Sequence, residues 1–268
     1  MIIQVNQHNA YAYTGGKSPN PELPTVVFIH GAQNDHSVWA LQSRYFAHHG
    51  FNVLAVDLPG HGRSQGPALT SGEAMADWLV ALLDAAQIPQ AHLVGHSMGS
   101  LIALETSAKA AGRVGSLCLL GTAYPMKVSD TLLSAALDQE QTAIDMVNIW
   151  SHTSIAHKPS FPGPGFSVLG GSQRLMQRMS KINPDTLFYT DFFACNAYAN
   201  GEAAALTVKC PTLFLIGKKD MMTPPKATAI LTKAITHAKV TLIENCGHSL
   251  MTEQSDAVLN ALFAFIKG

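Results

Sequence analysis

The chain has 268 residues and a formal net charge of −1, with 47% hydrophobic residues and only 13% charged residues. This composition excludes intrinsic disorder, which requires low hydrophobicity and a high net charge. The 17 basic residues do not outnumber the 18 acidic ones, so neither nucleic acid nor an anionic membrane is an expected partner. The length fits one large domain, or one domain that carries an insertion.

The first residues contain no basic segment followed by a long apolar run, so we expect no signal peptide. No apolar run approaches the ~18 residues of a membrane-spanning helix. The four cysteines are widely spaced and form no Cys-x-x-Cys pair, which argues against a zinc ribbon or a redox motif. We therefore expect a cytoplasmic protein with reduced thiols, no membrane span and no bound metal.

Short apolar runs alternate with helical patterns through the first 120 residues. After an N-terminal hairpin and a Pro-rich link, strands are predicted at 25–30, 52–57, 91–95 and 116–120. Helices are predicted between them at 37–49, 71–86 and 98–111. Strands that alternate with helices in this way form βαβ units and a parallel sheet. Because the strands are apolar along nearly their whole length, the sheet should be covered by helices on both faces.

The pattern changes between residues 122 and 205, where no strand is predicted. Helices are predicted at 132–150, 173–181 and 183–200, with a Gly/Pro-rich loop over 157–172. The α/β pattern then returns, with strands at 212–217 and 239–244 and helices at 225–237 and 253–267. The sequence therefore predicts a core of residues 1–121 and 206–268 and a helical insertion over 122–205.

The segment Gly95-His96-Ser97-Met98-Gly99 has the pattern G-x-S-x-G between an apolar strand and a helix. This context is typical of a nucleophile elbow, in which a serine stands on a sharp strand-to-helix turn. Glycines allow the strand and the helix to approach closely. The N-terminus of the helix favours a developing negative charge. An ordinary glycine-rich turn is the alternative, and the flanking elements favour Ser97 as a nucleophile.

A serine nucleophile needs a base, and the base needs an orienting carboxylate. His248 follows the last predicted strand, and Asp220 follows the strand before that one. The loop after the strand at 116–120 contains no carboxylate before Asp130, which favours Asp220 as the acid. Ser97, Asp220 and His248 also follow one another in the chain order that hydrolases with a nucleophile elbow use.

The oxyanion that forms in acyl transfer needs preorganised hydrogen-bond donors, and backbone N–H groups often supply them. One N–H group is expected from Met98, the residue after the nucleophile, and a second from Ala32, after the strand at 25–30. Five further residues are expected to line the substrate site: His30, Gln33, His96, Trp150 and Ser249.

Taken together, these motifs resemble the α/β-hydrolase superfamily over nearly the whole chain. The matching segments are His30-Gly31, the D-x-P-G-x-G-x-S stretch from Asp57 to Ser64, the elbow, Asp220 and Gly247-His248. The resemblance implies a mostly parallel eight-stranded sheet with helices on both faces and a helical cap after strand 6, which the segment 122–205 matches. It also implies a triad of Ser97, His248 and Asp220, with Asp57 in a structural turn.

The predicted activity is that of a carboxylesterase that forms an acyl-enzyme with a small-molecule acyl substrate and uses no cofactor. The low charge of the segment 122–205 favours a small-to-medium, mostly apolar acyl group. A C–C bond hydrolase, thioesterase, lactonase or perhydrolase could use the same triad, and a non-catalytic ligand receptor or a vestigial site is the alternative outside catalysis. A homodimer is compatible with the sequence. The natural substrate, and whether the loop 157–172 moves as a lid, stay open.

Overall fold

A computed structural model of the chain describes residues 1–153, 168–183 and 186–268. In this part of the chain, eight strands form one sheet: β1 (Ile2–Val5), β2 (His8–Tyr13), β3 (Thr25–Ile29), β4 (Asn52–Val56), β5 (Ala91–His96), β6 (Val114–Leu120), β7 (Thr212–Gly217) and β8 (Lys239–Ile243). Their order across the sheet is β1-β2-β4-β3-β5-β6-β7-β8. The six strands from β4 to β8 are parallel, and β1 and β2 pair antiparallel at one edge.

The central strand β3 shows why the sheet is covered on both sides. All five of its residues are buried. Val27 and Ile29 belong to one apolar core cluster, whereas Val26 and Phe28 belong to another. Because successive side chains of a strand point to opposite faces, the two clusters lie on opposite sides of the sheet. The predicted parallel sheet, buried on both faces, is confirmed.

Eleven α-helices occur in the described residues. They are α1 (Ala40–His48), α2 (Gly72–Ala85), α3 (Met98–Lys109), α4 (Asp130–Asp138), α5 (Glu140–Trp150), α6 (Val168–Ile182), α7 (Leu187–Ala197), α8 (Gly201–Thr207), α9 (Ala229–Ala234), α10 (Leu250–Glu253) and α11 (Ser255–Lys267). Residues of α2, α3, α8 and α9 pack in the first core cluster, and residues of α1 and α11 pack in the second. None of these helices combines the length and the hydropathy that a membrane crossing requires.

The helices α4–α8, which lie between β6 and β7, are called the helical segment below. The helix predicted at 132–150 is two helices, because Gln139 leaves helical geometry with φ −143° and ψ 56°. The predicted loop 157–172 falls partly outside the described residues, and its last part, 168–172, belongs to α6 instead. The predicted boundary at residue 205 lies within α8. The division of the chain into a core and a cap stays a prediction.

Candidate active site

Ser97 stands between β5 and α3 in a backbone conformation that side chains rarely adopt, with φ 53° and ψ −120°. Its N–H group donates to the carbonyl oxygen of Leu120 at 2.9 Å, which ties the turn to β6. A Cβ atom on Gly95 would overlap the carbonyl oxygen of Gly99, and a Cβ atom on Gly99 would overlap carbonyl oxygens at the end of β3. Only glycine at both positions therefore allows the strand and the helix to approach this closely.

Asp220 and His248 meet beside this turn, with Oδ2 of the carboxylate 2.9 Å from Nδ1 of the imidazole. Oδ1 of Asp220 accepts the N–H groups of Met222 and Thr223 at 2.9 and 2.8 Å, and Oδ2 also accepts the Thr223 hydroxyl at 2.7 Å. Burial by itself would raise the pKa of Asp220, but His248 and the Thr223 donors outweigh it and hold that pKa below its usual value.

The Asp220 carboxylate decides which nitrogen of His248 carries the proton. An ionised carboxylate can only accept hydrogen bonds, so Nδ1 of His248 must donate. In the neutral ring Nε2 then retains a lone pair, which is what a general base requires. The Thr223 hydroxyl lies 3.1 Å from the same Nδ1 atom and helps to fix the ring.

Ser97 and His248 line both of two neighbouring cavities at the carboxyl ends of the parallel strands. The larger cavity has a volume of about 380 Å³ and is lined by residues that include Ala32, His96, Leu175, Met176, Ser249 and Met251. The smaller cavity, about 170 Å³, is lined by residues that include Met126, Leu132, Trp150, Cys195 and Met221. Phe192 and Met222 contribute to both, so the two cavities adjoin at the candidate nucleophile.

The structure brings together most of the residues that the sequence predicts for the site. Ala32, His96 and Ser249 line the larger cavity, and Trp150 lines the smaller one. Met98 is the first residue of α3, so its N–H group has no acceptor within the helix.

His30 and Gln33, which are predicted to line the substrate site, are not among the residues that line either cavity. Both side chains are fully buried. The physical reason is that the protein itself binds the polar atoms that fix them: the His30 ring bonds to Gly31 and Leu58, and Nε2 of Gln33 bonds to Ser180.

A third cavity, of about 740 Å³, lies at the opposite edge of the sheet and is lined by residues of 17–25, 51–54 and 86–90. Thr25 and Asn52 are the first residues of β3 and β4, so this cavity faces the amino ends of the strands. Ligands of open α/β sheets bind outside the carboxyl ends. The two smaller cavities are therefore the better candidates for a substrate site.

Asp35, His36 and Asp57 place ligand-type atoms within 4.8 Å of one another. Oδ1 of Asp57 accepts both the N–H group and Nδ1 of His36 at 2.7 Å, and its Oδ2 accepts the N–H group of Arg63 at 2.8 Å. These bonds hold the turn after β4 in place. They give Asp57 a structural role in this turn, which is the role that the resemblance implies.

Two buried histidines beside the site are neutral. Nδ1 of His30 donates to the carbonyl oxygen of Gly31 at 2.8 Å, and its Nε2 accepts the N–H group of Leu58 at 3.1 Å. Nε2 of His96 donates to the carbonyl oxygen of His248 at 2.8 Å. Burial, and then the charge of a neighbouring histidine, lower the pKa of each ring to about 3.

The lowered pKa values predict acid destabilisation. The unfolded chain binds more protons at these two histidines, so their contribution to stability is complete above pH ~6.5 and is lost as the pH falls toward 3. Between pH 7 and pH 5, each ring should lower the free energy of unfolding by about 2 kcal/mol. Urea unfolding at both pH values should show this loss, and the His96→Gln variant should show about 2 kcal/mol less of it. Equal losses in the two proteins would contradict the assignment.

The comparison with protein families gives a match over residues 24–254 to the family described as the alpha/beta hydrolase fold. The chain belongs to this family. Its relatives include an (E)-2-((N-methylformamido)methylene)succinate hydrolase of Acinetobacter baylyi, which is 25% identical over 252 residues, 90% of each protein. The name of the family and the names of such relatives support hydrolysis as the class of reaction.

Solved structures share the fold of this alpha/beta hydrolase at low sequence identity. An esterase from Exiguobacterium antarcticum superposes with a TM-score of 0.81 at 18% identity, covering 100% of this chain and 99% of the esterase. The enol-lactonase from Burkholderia xenovorans LB400 gives a TM-score of 0.80 at 21% identity, with 100% of both chains covered.

Thr223 and Asp191 are two polar residues near the site of this alpha/beta hydrolase that the sequence analysis does not predict. The spacing of Asp220 and Thr223 is a usable signal, because an aspartate side chain often accepts N–H groups two and three residues later. Asp191 is a single acid between the buried rings of Phe188 and Phe192 in α7. A carboxylate on such an apolar face is almost never fully buried unless it is paired, but the sequence does not identify the partner.

Proposed function

We propose that this alpha/beta hydrolase is a serine hydrolase that cleaves a carboxylic ester through an acyl-enzyme. Ser97 is the proposed nucleophile, His248 the base and Asp220 the residue that orients the base. The N–H groups of Ala32 and Met98 are the proposed oxyanion donors. The observation that carries the proposal is the arrangement of Ser97 on its strained turn and the His248–Asp220 pair around the same two cavities.

The reaction follows from this arrangement. Oγ of Ser97 attacks the ester carbonyl carbon while Nε2 of His248 takes the hydroxyl proton. The N–H groups of Met98 and Ala32 stabilise the negative charge on the carbonyl oxygen. The tetrahedral intermediate collapses, and His248 gives its proton to the departing alkoxide. A water molecule, deprotonated by His248, then attacks the acyl-enzyme, which releases the acid and regenerates Ser97.

The lining of the larger cavity supports an uncharged substrate. The described residues that line it include no Asp, Glu, Lys or Arg. The relative from Acinetobacter baylyi is named for a succinate, which carries two carboxylates. A dicarboxylate would find no Lys or Arg on this described wall, whereas Lys127 lines the smaller cavity. We therefore favour an ester with one medium-sized apolar part in the larger cavity and a smaller part in the adjoining cavity.

We propose further that the helical segment is a cap over the site. The observation in favour is that α4, α5, α6 and α7 each supply lining residues, among them Leu132, Val147, Leu175 and Phe192. The cysteines Cys118, Cys195, Cys210 and Cys246 are free, which is compatible with the cytoplasmic location that we propose. A homodimer stays a prediction.

The test is turnover of p-nitrophenyl esters from acetate to decanoate, together with labelling by a fluorophosphonate. We expect turnover with an optimum at medium chain length, and one label per chain on the peptide that contains Ser97. A vinylogous diketone and an acyl thioester are assayed in parallel. Turnover of either of these without ester turnover would overturn the ester assignment. Absence of both labelling and turnover would overturn the proposal that the protein is a serine hydrolase.

A further inference from the structure

The peptide unit that contains the Ala32 N–H group is held by a hydrogen bond to its carbonyl oxygen. The carbonyl oxygen of this unit belongs to Gly31 and accepts Nδ1 of His30 at 2.8 Å. Because a trans peptide is planar, its C=O and N–H groups point in opposite directions. The His30 ring therefore sets the direction in which the Ala32 N–H group points.

The next peptide unit is held by the helical segment. The N–H group of Gln33 donates to Oδ2 of Asp191 in α7 at 2.7 Å. Gln33 has a left-handed backbone with φ 56°, which is unusual for a residue other than glycine, asparagine or aspartate. Its buried side chain donates to the hydroxyl of Ser180 in α6 at 2.9 Å. Ala32 therefore lies between two peptide units whose orientations are both fixed.

Asp191 carries a second bond, which makes it one half of a buried ion pair. Its Oδ2 atom lies 2.9 Å from Nε2 of His61, and Nδ1 of His61 lies 3.1 Å from the carbonyl oxygen of Pro59. Carboxylate and carbonyl oxygens only accept hydrogen bonds, so both ring nitrogens carry protons. Burial would lower the pKa of His61, but the charge and the hydrogen bond of Asp191 outweigh it and raise that pKa.

This ion pair contacts the His30 ring, which also holds the loop after β3. The rings of His61 and His30 have centroids 4.8 Å apart, so the ion pair packs directly on the ring that holds Gly31. A buried ion pair contributes little net stability compared with apolar packing, because both charges lose their hydration. Stability alone therefore gives a weak reason to bury Asp191 at this place.

We propose that Asp191 is a positioning residue for the oxyanion site: it fixes the backbone around Ala32 through the N–H group of Gln33 and the ring of His61. Docking of α7 onto the loop after β3 thereby completes the site. The inference rests on the proposed function, since it takes Ser97 as the nucleophile and Ala32 as a donor. A rotated Ala32 N–H group would stabilise the transition state less well, while the walls of the cavities would stay in place.

Three variants test the proposal on the best p-nitrophenyl ester. Asp191→Ala removes the acceptor of the Gln33 N–H group, and we expect kcat to fall by about 10- to 100-fold with KM within about threefold. Asp191→Asn keeps an amide oxygen that can accept this N–H group, and its kcat should stay within about fivefold of the wild type. Tyr198→Phe is the matched control, because it breaks another buried bond between the helical segment and the core, Tyr198 to Glu105 at 2.7 Å. Its kcat should be unchanged.

Binding of an alkyl trifluoromethyl ketone provides the second readout, because its adduct with Ser97 carries an oxyanion. Its affinity should fall in Asp191→Ala by the same factor as kcat, whereas the affinity of the matching methyl ketone should not change. If Asp191→Ala does not fold, Asp191→Ser serves instead, since its shorter hydroxyl cannot reach the Gln33 N–H group and should give the same loss.

A loss confined to KM, an unchanged affinity for the trifluoromethyl ketone, or an equal loss of kcat in Tyr198→Phe would overturn the positioning role. These outcomes are distinct from failure of the proposed function. In that case the wild-type protein itself would show neither ester turnover nor a fluorophosphonate label.

Discussion

Replacing Ser97 with alanine is expected to lower kcat for the best p-nitrophenyl ester by about 10⁴-fold or more, because no acyl-enzyme can then form. KM should change little, since the walls of both cavities stay in place. The residual rate should come from binding and from the oxyanion donors alone. Steady-state kinetics on the purified variant, with the fluorophosphonate label measured by intact mass, provide the measurement.

Ser107→Ala is the matched control for this experiment. Ser107 is also a buried serine and lies in α3, the helix that follows the candidate nucleophile, but it does not line either cavity. Its activity and labelling should equal those of the wild type. If Ser97→Ala retained more than about a tenth of the activity, acyl-enzyme formation at Ser97 would be refuted.

Replacing Asp220 with asparagine is expected to lower kcat by about 10³- to 10⁴-fold while the protein stays folded. The asparagine side chain can still accept the N–H groups of Met222 and Thr223, which are bonded to Oδ1 of the aspartate. Its NH₂ group would then face Nδ1 of His248 as a donor. The proton of the imidazole would move to Nε2, and His248 would lose its function as a base. The kcat values of the two proteins, measured across pH 6 to 9, test this.

Thr223→Val is the matched control for Asp220→Asn. It removes the hydroxyl that touches both Asp220 and His248 but leaves the carboxylate and its backbone donors in place. We expect a fall in kcat of about tenfold. Equal effects of the two substitutions would show that the hydrogen bonds orient His248 and that the charge of Asp220 is not required.

The central strands, such as β3 and β7, could be predicted from the sequence because burial on both faces makes them apolar throughout. The division between α4 and α5 could not be predicted from the sequence. Apolar residues continue at helical spacing on both sides of Gln139, so the pattern contains no sign that the helix stops there. The helix α8 is not predicted either, because its seven residues are too few to show a clear helical pattern.

The candidate site likewise contains residues whose placement the sequence predicts and residues whose placement it does not. Ser97, Asp220 and His248 each follow a strand, and the carboxyl ends of parallel strands lie at one edge of the sheet. Local pattern therefore predicts their proximity. His30 and Gln33 follow a strand as well, but the His30 ring is bonded to Leu58, and Gln33, with its left-handed backbone, is bonded through its side chain to Ser180 in α6. Glutamine is not a residue that favours a left-handed backbone, so nothing in the local sequence predicts this conformation.

The bonds around Ala32 join parts of the chain that are synthesised at very different times. Gln33 and Asp191 are 158 positions apart, and His61 and Asp191 are 130 positions apart. The turn at Ser97, by contrast, is formed by β3, β5, α3 and β6, all of which are synthesised before residue 121. A nascent chain can thus form the turn that presents this serine well before α7 and His248 exist. Under the proposed function, a chain interrupted in that interval would carry Ser97 without its base, and ester hydrolysis would begin only after His248 has been added.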